Sequence, residues 1–181
     1  LHRVDRRQRQ MCIRDSNYAR HYETGEALDL AIVERLRATE TFDQGHATSE
    51  YLAAAWLDQA WHRMDTRAVV DDVAEFEAAA LADIGLDDPV VPTRYSSTYF
   101  AHVFSGGYSA GYYSYIWSEV LDADTVDWFR ENGGLTRENG DRFRARLLGV
   151  GGSKDPLDAY RDFRGRDAEI APLLKRRGLE A

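Results

Sequence analysis

The chain has 181 residues, enough for one or two ordinary domains, and its 44% hydrophobic and 30% charged residues are typical of a folded, soluble protein rather than a disordered or fibrous one. The net charge of −8 argues against nucleic acid as the main partner, and no apolar run approaches the roughly 20 residues of a membrane-spanning helix. The single cysteine, Cys12, excludes an internal disulfide and predicts a reducing, cytoplasmic compartment.

Residues 1–16, LHRVDRRQRQMCIRDS, differ from the rest of the chain. They contain five arginines against two aspartates and show no hydrophobic periodicity. They also lack the apolar segment of a secretory signal. We therefore expect a non-native leader, with a native basic arm as the alternative. On this interpretation the native part, residues 17–181, begins abruptly, as in a truncated chain.

Helical signals dominate the first half of the native part. A first helix is predicted by aliphatic residues at four-residue intervals: Leu28, Ile32 and Leu36. A connector at 42–47 follows, and Thr48 with Ser49 should cap a deeply buried second helix that ends near His62. A third helix, closed by Gly85, is predicted by one apolar stripe: Val69, Val73, Phe76, Ala80 and Ile84.

The second half is predicted to hold an irregular segment and then further helices. Residues 93–108 have the composition of a loop. Ser109 should start a helix that runs to about Val120 and continues after a break to Arg130. Three more helices are predicted from their start signals: Thr136, Asp155 before Pro156, and Asp167. Because no alternating segment exceeds four residues, the predicted fold class is all-α.

Residues 95–117 are the most unusual segment, with six of the ten tyrosines. The spacing i, i+4, i+7 would place three of them on one helical face: Tyr108, Tyr112 and Tyr115. Phenol hydroxyls can stabilise a carbonyl oxygen that gains negative charge, and Gly106 with Gly107 would allow a loop to close on a ligand. The same spacing is typical of core packing. The combination with His102 and the glycines favours a binding site.

Other catalytic motifs are missing from the sequence. It contains no H-E-x-x-H zinc motif, no G-x-S-x-G nucleophile elbow and no phosphate-binding P-loop. His46 and Glu50 have the spacing of helical metal ligands, but they straddle the predicted cap at Thr48 and Ser49. We therefore assign no metal ligand in this chain.

Residues 100–124, FAHVFSGGYSAGYYSYIWSEVLDAD, resemble the C-terminal catalytic region of the thimet oligopeptidase family, and most closely its bacterial peptidyl-dipeptidase (dipeptidyl carboxypeptidase) branch. Four flanking segments resemble the same family in the same order: YARHYETGEAL at 18–28, FDQGHATSEYLAAAWLDQAWH at 42–62, GGSKDP at 151–156, and YRDFRGRDAEIAPLLKRRGL at 160–179. The resemblance runs from about Asn17 to the end. It implies the helical C-terminal portion of the catalytic domain of a large zinc metallopeptidase.

The resemblance also implies roles for individual residues. Tyr115 would donate a hydrogen bond to the scissile carbonyl, Tyr108 would swing in to assist, and His102 would bind substrate near the scissile bond. The cleft would further include the substrate-binding residues Tyr112, Gly106 and Gly107. Family members hold one zinc ion with an H-E-x-x-H helix and a downstream glutamate. These parts would lie upstream, so the chain alone should bind no catalytic zinc and be inactive.

The expected function is zinc-dependent hydrolysis of short peptides, with release of C-terminal dipeptides. One alternative is an oligopeptidase of the same family that cuts internally. Another is a non-catalytic helical module that binds peptides. The expected partners are short peptide substrates and the missing N-terminal part of the same enzyme, without nucleic acid or membrane.

Overall fold

The computed structural model describes residues 20–180. The predicted leader at 1–16, which includes Cys12, lies outside the described residues. No β-strand occurs among the described residues, so the all-α prediction is confirmed. An isolated β-bridge joins Arg20 and Ala27. Within the same range, no helix combines the length and apolar character that crossing a membrane would require.

The chain divides between Asp43 and Gln44 into two compact units. In the first unit, helix α1 spans Leu30–Ala38. Asp29 lies just before it, and its Oδ1 accepts a hydrogen bond from the Ala31 amide at 2.9 Å. This contact satisfies one of the backbone donors that every helix start leaves open.

The described helices of the second unit are α2 Gln44–His62, α3 Val73–Ala82, α4 Ala101–Phe104, α5 Ser114–Glu131, α6 Arg137–Phe143, α7 Pro156–Arg164 and α8 Ala171–Arg177. A π-helical turn at Arg144–Leu148 continues α6, and short 3₁₀ turns occupy Ser97–Tyr99 and Gly151–Ser153. Helix α2 packs against α3, α5 against α8, and α7 against the π-helical turn.

Two predicted helix starts are wrong because their hydroxyl groups have other partners. Thr48 does not cap α2, which begins at Gln44, because its Oγ1 accepts a hydrogen bond from Arg177 Nη1 at 2.8 Å. Ser109 does not begin α5 either, because its hydroxyl donates to the Val103 carbonyl at 2.7 Å. Helix α5 starts at Ser114 and continues to Glu131 without the predicted break.

The predicted starts near Val69 and Asp167 are also wrong. Val69 is 82% exposed, and α3 begins only after Asp72, whose side chain accepts hydrogen bonds from the amides of Ala74 and Glu75. Asp167 Oδ1 binds Arg161 Nε at 2.6 Å, and α8 begins at Ala171. The carboxylate of Asp72 is thus used as a helix cap, whereas that of Asp167 pairs with an arginine instead.

The other two predicted helix starts in the tail are confirmed. Thr136 caps α6, and Asp155 caps α7 with Pro156 in its first turn. Gly165 and Gly178 follow α7 and α8 in left-handed conformations. These signals act on adjacent backbone, so the local sequence is sufficient to specify them.

The core that supports the predicted site lies between α2, α4 and the start of α5. Its buried residues are Tyr51, Ala54, Ala55, Phe100, Val103 and Tyr112. Partly buried Tyr95, Tyr115 and Ile116 pack against them. A second cluster of Val120, Ala123 and Leu173 joins α5 to α8.

Candidate functional site

The predicted site residues come from the short helix α4, the start of the longer helix α5 and the loop between them. His102 lies on α4, Tyr115 lies in the first turn of α5, and Tyr108 and Tyr112 lie in the loop at 105–113. The prediction that the three tyrosines share one helical face is therefore wrong, because only Tyr115 is helical. The loop adopts consecutive turns instead.

The rings nevertheless come together, and we call His102, Tyr108, Tyr112 and Tyr115 the tyrosine cluster. The Tyr108 ring stacks on Tyr115 with centroids 5.3 Å apart and planes 29° apart. The Tyr112 ring is also 5.3 Å from Tyr115, and the His102 ring is 6.4 Å from it. Tyr115 is thus the ring that contacts all the others.

The tyrosines of the cluster differ in burial. The Tyr108 side chain is 41% exposed, whereas Tyr112 is only 4% exposed and packs edge-on against Tyr51 and Phe100. Burial raises the pKa of the Tyr112 hydroxyl, while the positive charge of Arg94 acts in the opposite direction. Tyr112 therefore remains a neutral phenol at neutral pH, with its ring fixed in the core.

His102 has an unusual polar environment. Its Nδ1 is buried and makes no hydrogen bond within the part of the chain that the structure describes. The ring packs against Tyr95 at 4.7 Å and Tyr112 at 5.9 Å. An unsatisfied buried nitrogen is unfavourable, so the aromatic packing around His102 holds this atom at a cost in free energy.

The two predicted glycines serve different geometric needs. A Cβ on Gly106 would lie 2.8 Å from the His102 carbonyl oxygen, so this position requires a residue without a side chain. Gly107 has a φ of 80°, which L-residues with a side chain rarely adopt. The next residue, Tyr108, donates its amide hydrogen to the His102 carbonyl at 3.1 Å. The glycines thus bring the loop directly onto α4.

Sequence reasoning missed two polar residues that hold this loop. Asp58 on α2 is fully buried, and its carboxylate accepts hydrogen bonds from the amides of Ala110 and Tyr112, both at 2.9 Å. Gln59 Nε2 donates to the Ala110 carbonyl at 2.8 Å. Asp58 is the one charged residue within the apolar run YLAAAWLDQAW, and this contrast could have identified it.

The site residues do not themselves fit a zinc ion. Among residues 20–180, no group of three or more His, Cys, Asp or Glu side chains is arranged to hold a metal. His102 is surrounded by aromatic rings. The chemistry that these residues can supply is hydrogen bonding to a carbonyl group and aromatic contact with a ligand.

Comparison with known proteins shows which family this chain resembles. The sequence model described as Peptidase family M3 matches residues 14–179. The chain is 46% identical over 164 residues to dipeptidyl carboxypeptidase of Escherichia coli strain K12. This alignment covers 91% of this chain and 24% of that protein. It is 34% identical over 166 residues to oligopeptidase A of the same organism, covering 88% of this chain and 23% of that protein.

A plant relative is more distant than the bacterial carboxypeptidase. The probable cytosolic oligopeptidase A of Arabidopsis thaliana is 37% identical over 168 residues, which covers 90% of this chain and 24% of that protein. The chain therefore spans about a quarter of the length of these relatives. Since the family match extends over nearly all of the chain, the resemblance predicted from residues 18–179 is confirmed, and the chain belongs to peptidase family M3.

Proposed function

We propose that this chain forms one wall of the substrate cleft in a zinc-dependent peptidase that acts on short peptides. The observation that carries the proposal is the convergence of His102 and two tyrosine rings, Tyr108 and Tyr112, on Tyr115, with Tyr108 partly exposed. Membership of a peptidase family supports it. Neutral phenol donors aimed at a reacting carbonyl stabilise the negative charge that develops on its oxygen.

Each member of the cluster receives a separate role. Tyr115 donates a hydrogen bond to the scissile carbonyl as it becomes an oxyanion, and Tyr108 assists from the loop. His102 binds the substrate near the scissile bond. The burial of Tyr112 favours a supporting role, in which its ring holds Tyr115 in place, over direct contact with substrate.

The zinc ion would be held by the H-E-x-x-H helix and the downstream glutamate of the family, a motif that the sequence of this chain does not contain. The proposal therefore assigns to these residues only the binding and polarisation of the substrate. On this view the chain alone is inactive and works with the remainder of the same enzyme. A cytoplasmic location is part of the proposal and rests on the single cysteine.

Release of C-terminal dipeptides is the favoured specificity. The relative named dipeptidyl carboxypeptidase shares 46% of aligned residues with this chain, against 34% for the relative named oligopeptidase A. Internal cleavage of oligopeptides is the second candidate, supported by the 37% identical plant relative.

A chimeric peptidase tests this proposal. Residues 14–179 would replace the matching segment of the Escherichia coli dipeptidyl carboxypeptidase. We expect hydrolysis of short peptides, with dipeptides appearing first when products are identified by mass spectrometry. Internal cleavage products would favour the oligopeptidase alternative. A folded, zinc-loaded chimera without peptidase activity would refute the proposal.

Substitution of Tyr115 tests the mechanism within that chimera. Tyr115→Phe removes the hydroxyl and leaves the ring, so we expect kcat to fall about 10²- to 10³-fold with KM nearly unchanged. Tyr113→Phe is the matched control, because Tyr113 is 54% exposed and lies outside the tyrosine cluster. Equal losses in the two variants, or a loss below about tenfold for Tyr115→Phe, would assign the cluster to core packing.

A further inference from the structure

Helix α2 is linked to the loop at 105–113 by three hydrogen bonds. Asp58 Oδ1 accepts from the Ala110 amide and Oδ2 accepts from the Tyr112 amide, both at 2.9 Å. Gln59 donates to the Ala110 carbonyl oxygen at 2.8 Å. Together they hold the peptide groups on both sides of Ala110. The carboxylate is fully buried, so water does not compete for these bonds.

Ala110 has a backbone conformation that needs such hydrogen bonds to hold it. Its φ is +55°, which is unfavourable for a residue with a Cβ. Such conformations persist only where the surrounding contacts hold them. The carboxylate of Asp58 and the amide of Gln59 supply those contacts.

The preceding part of the loop is fastened separately to α4. The Tyr108 amide donates to the His102 carbonyl at 3.1 Å, and the Ser109 hydroxyl donates to the Val103 carbonyl at 2.7 Å. Tyr108 is therefore held from α4, whereas Tyr112 and the start of α5 are held from α2. The relative placement of the Tyr108 and Tyr115 rings depends on both attachments.

We infer that Asp58 is a positioning residue for the tyrosine cluster. It acts through the backbone of Ala110 and Tyr112, and it sets where the Tyr115 hydroxyl lies relative to a bound carbonyl. His62 extends the arrangement on α2, because its Nδ1 lies 2.8 Å from Asp58 Oδ1. This role rests on the proposed function, whereas the attachment of the loop can be measured without it.

Amide hydrogen exchange in the 181-residue chain tests the attachment. Asp58→Asn keeps the side-chain shape but replaces one acceptor oxygen with an NH₂ group, which cannot accept from an amide. We expect exchange at Ala110 and Tyr112 to accelerate by about tenfold or more, since local opening loses a charge-assisted bond. Unchanged exchange at these two amides would overturn the inference.

Glu77→Gln is the matched control for that measurement. Glu77 on α3 also ties a loop to a helix, since its Oε2 accepts from the Ser97 amide at 2.7 Å and the Ser96 hydroxyl at 3.0 Å. The Glu77→Gln substitution should leave amide exchange at Ala110 and Tyr112 unchanged. Equal acceleration in both variants would mean general loosening and would count against Asp58 as a specific anchor.

Kinetics of the chimeric peptidase test the positioning role. Asp58→Asn should lower kcat by about 10- to 10²-fold with KM changed by less than about threefold, because misplaced groups act mainly on the transition state. In a Tyr115→Phe background, the same substitution should cost less than about threefold, because Asp58 acts through that hydroxyl. Fully additive losses would overturn the inference.

The outcomes separate this inference from the proposed function. If Tyr115→Phe is harmless, the proposed function fails whatever Asp58 does. If Tyr115→Phe is damaging but Asp58→Asn has wild-type kcat, only the positioning role fails. Should Asp58→Asn not fold, Gln59→Ala removes only the bond to the Ala110 carbonyl. That variant should accelerate exchange at Gly111, whose amide belongs to the released peptide group and bonds to the Tyr108 carbonyl at 2.8 Å, and wild-type exchange there would refute the attachment of the loop to α2.

Discussion

At the residue scale, Gly106 shows how closely the loop approaches α4. A Cβ there would lie 2.8 Å from the carbonyl oxygen and 3.0 Å from the Cα of His102, and both are backbone atoms that cannot rotate away. The constraint is one of space, because Gly106 does not have a positive φ. The loop would have to move away from His102 to accept any side chain.

Gly106→Ala should therefore destabilise the chain by about 1 to 3 kcal/mol, the usual effect of overpacking. Urea unfolding of the 181-residue chain, followed by circular dichroism, would measure this change. Gly45→Ala is the control, because nothing lies within 4 Å of a Cβ at that position on α2. The control should be neutral or stabilising by up to about 1 kcal/mol. Equal effects at the two positions would contradict the close approach.

At the scale of elements, Asp124 on α5 joins the C-terminal helices. It is fully buried and accepts hydrogen bonds from Tyr160 at 2.8 Å, Arg164 at 3.1 Å and Arg166 at 2.8 Å. Burial alone would raise the pKa of Asp124, but the hydrogen bonds from Arg164, Tyr160 and Arg166 outweigh it and hold the pKa below the usual 3.8. The carboxylate is therefore ionised in the folded chain at neutral pH.

This lowered pKa predicts a pH dependence. A carboxylate with a lower pKa in the folded state stabilises the fold above pH 3.8, and this contribution disappears as the pH falls through the folded pKa. At pH 7, Asp124→Asn should cost about 1 to 3 kcal/mol, because Arg164 and Arg166 lose a charged acceptor, although Arg164 keeps its ion pair with Glu131. The difference from the wild type should shrink as the pH falls below 3.8.

Urea unfolding of both proteins across this pH range would measure the effect. Asp162→Asn is the control, because Asp162 is an exposed carboxylate that pairs with Lys154. Its substitution should have little effect at pH 7. A difference between Asp124→Asn and the wild type that does not change with pH would show that the ionised form of Asp124 is not the source of the stability.

At the scale of the whole molecule, large aromatic side chains remain on the surface of the second unit. The most exposed, each between 44% and 59%, are Trp56, Tyr99, Phe104, Tyr113 and Trp117. Exposed apolar groups of this size promote association. We expect the 181-residue chain to self-associate as its concentration rises, with a larger weight-average mass in sedimentation velocity. A monodisperse monomer with a cooperative thermal transition would contradict this and would favour the alternative of a free-standing module.

The sequence by itself determined the family, the all-α class and the helix ends that depend on neighbouring residues. Asp155 before Pro156, and Gly165 and Gly178 after their helices, act on backbone within a few positions, so their effect could be predicted from local sequence. The grouping of His102 with the tyrosines was likewise predicted from one continuous segment, although the helical face proposed for it was wrong. The chemical roles of these residues stay predictions.

Only the tertiary structure decided which polar side chains serve distant partners. Thr48 binds Arg177, 129 positions away, and so does not cap the helix that contains it. Asp58 binds the Ala110 and Tyr112 amides, 52 and 54 positions away. A hydroxyl or carboxylate can form a hydrogen bond with a nearby amide or with a remote group equally well. The packing of α2 against the loop and α8 decides which of these partners it binds.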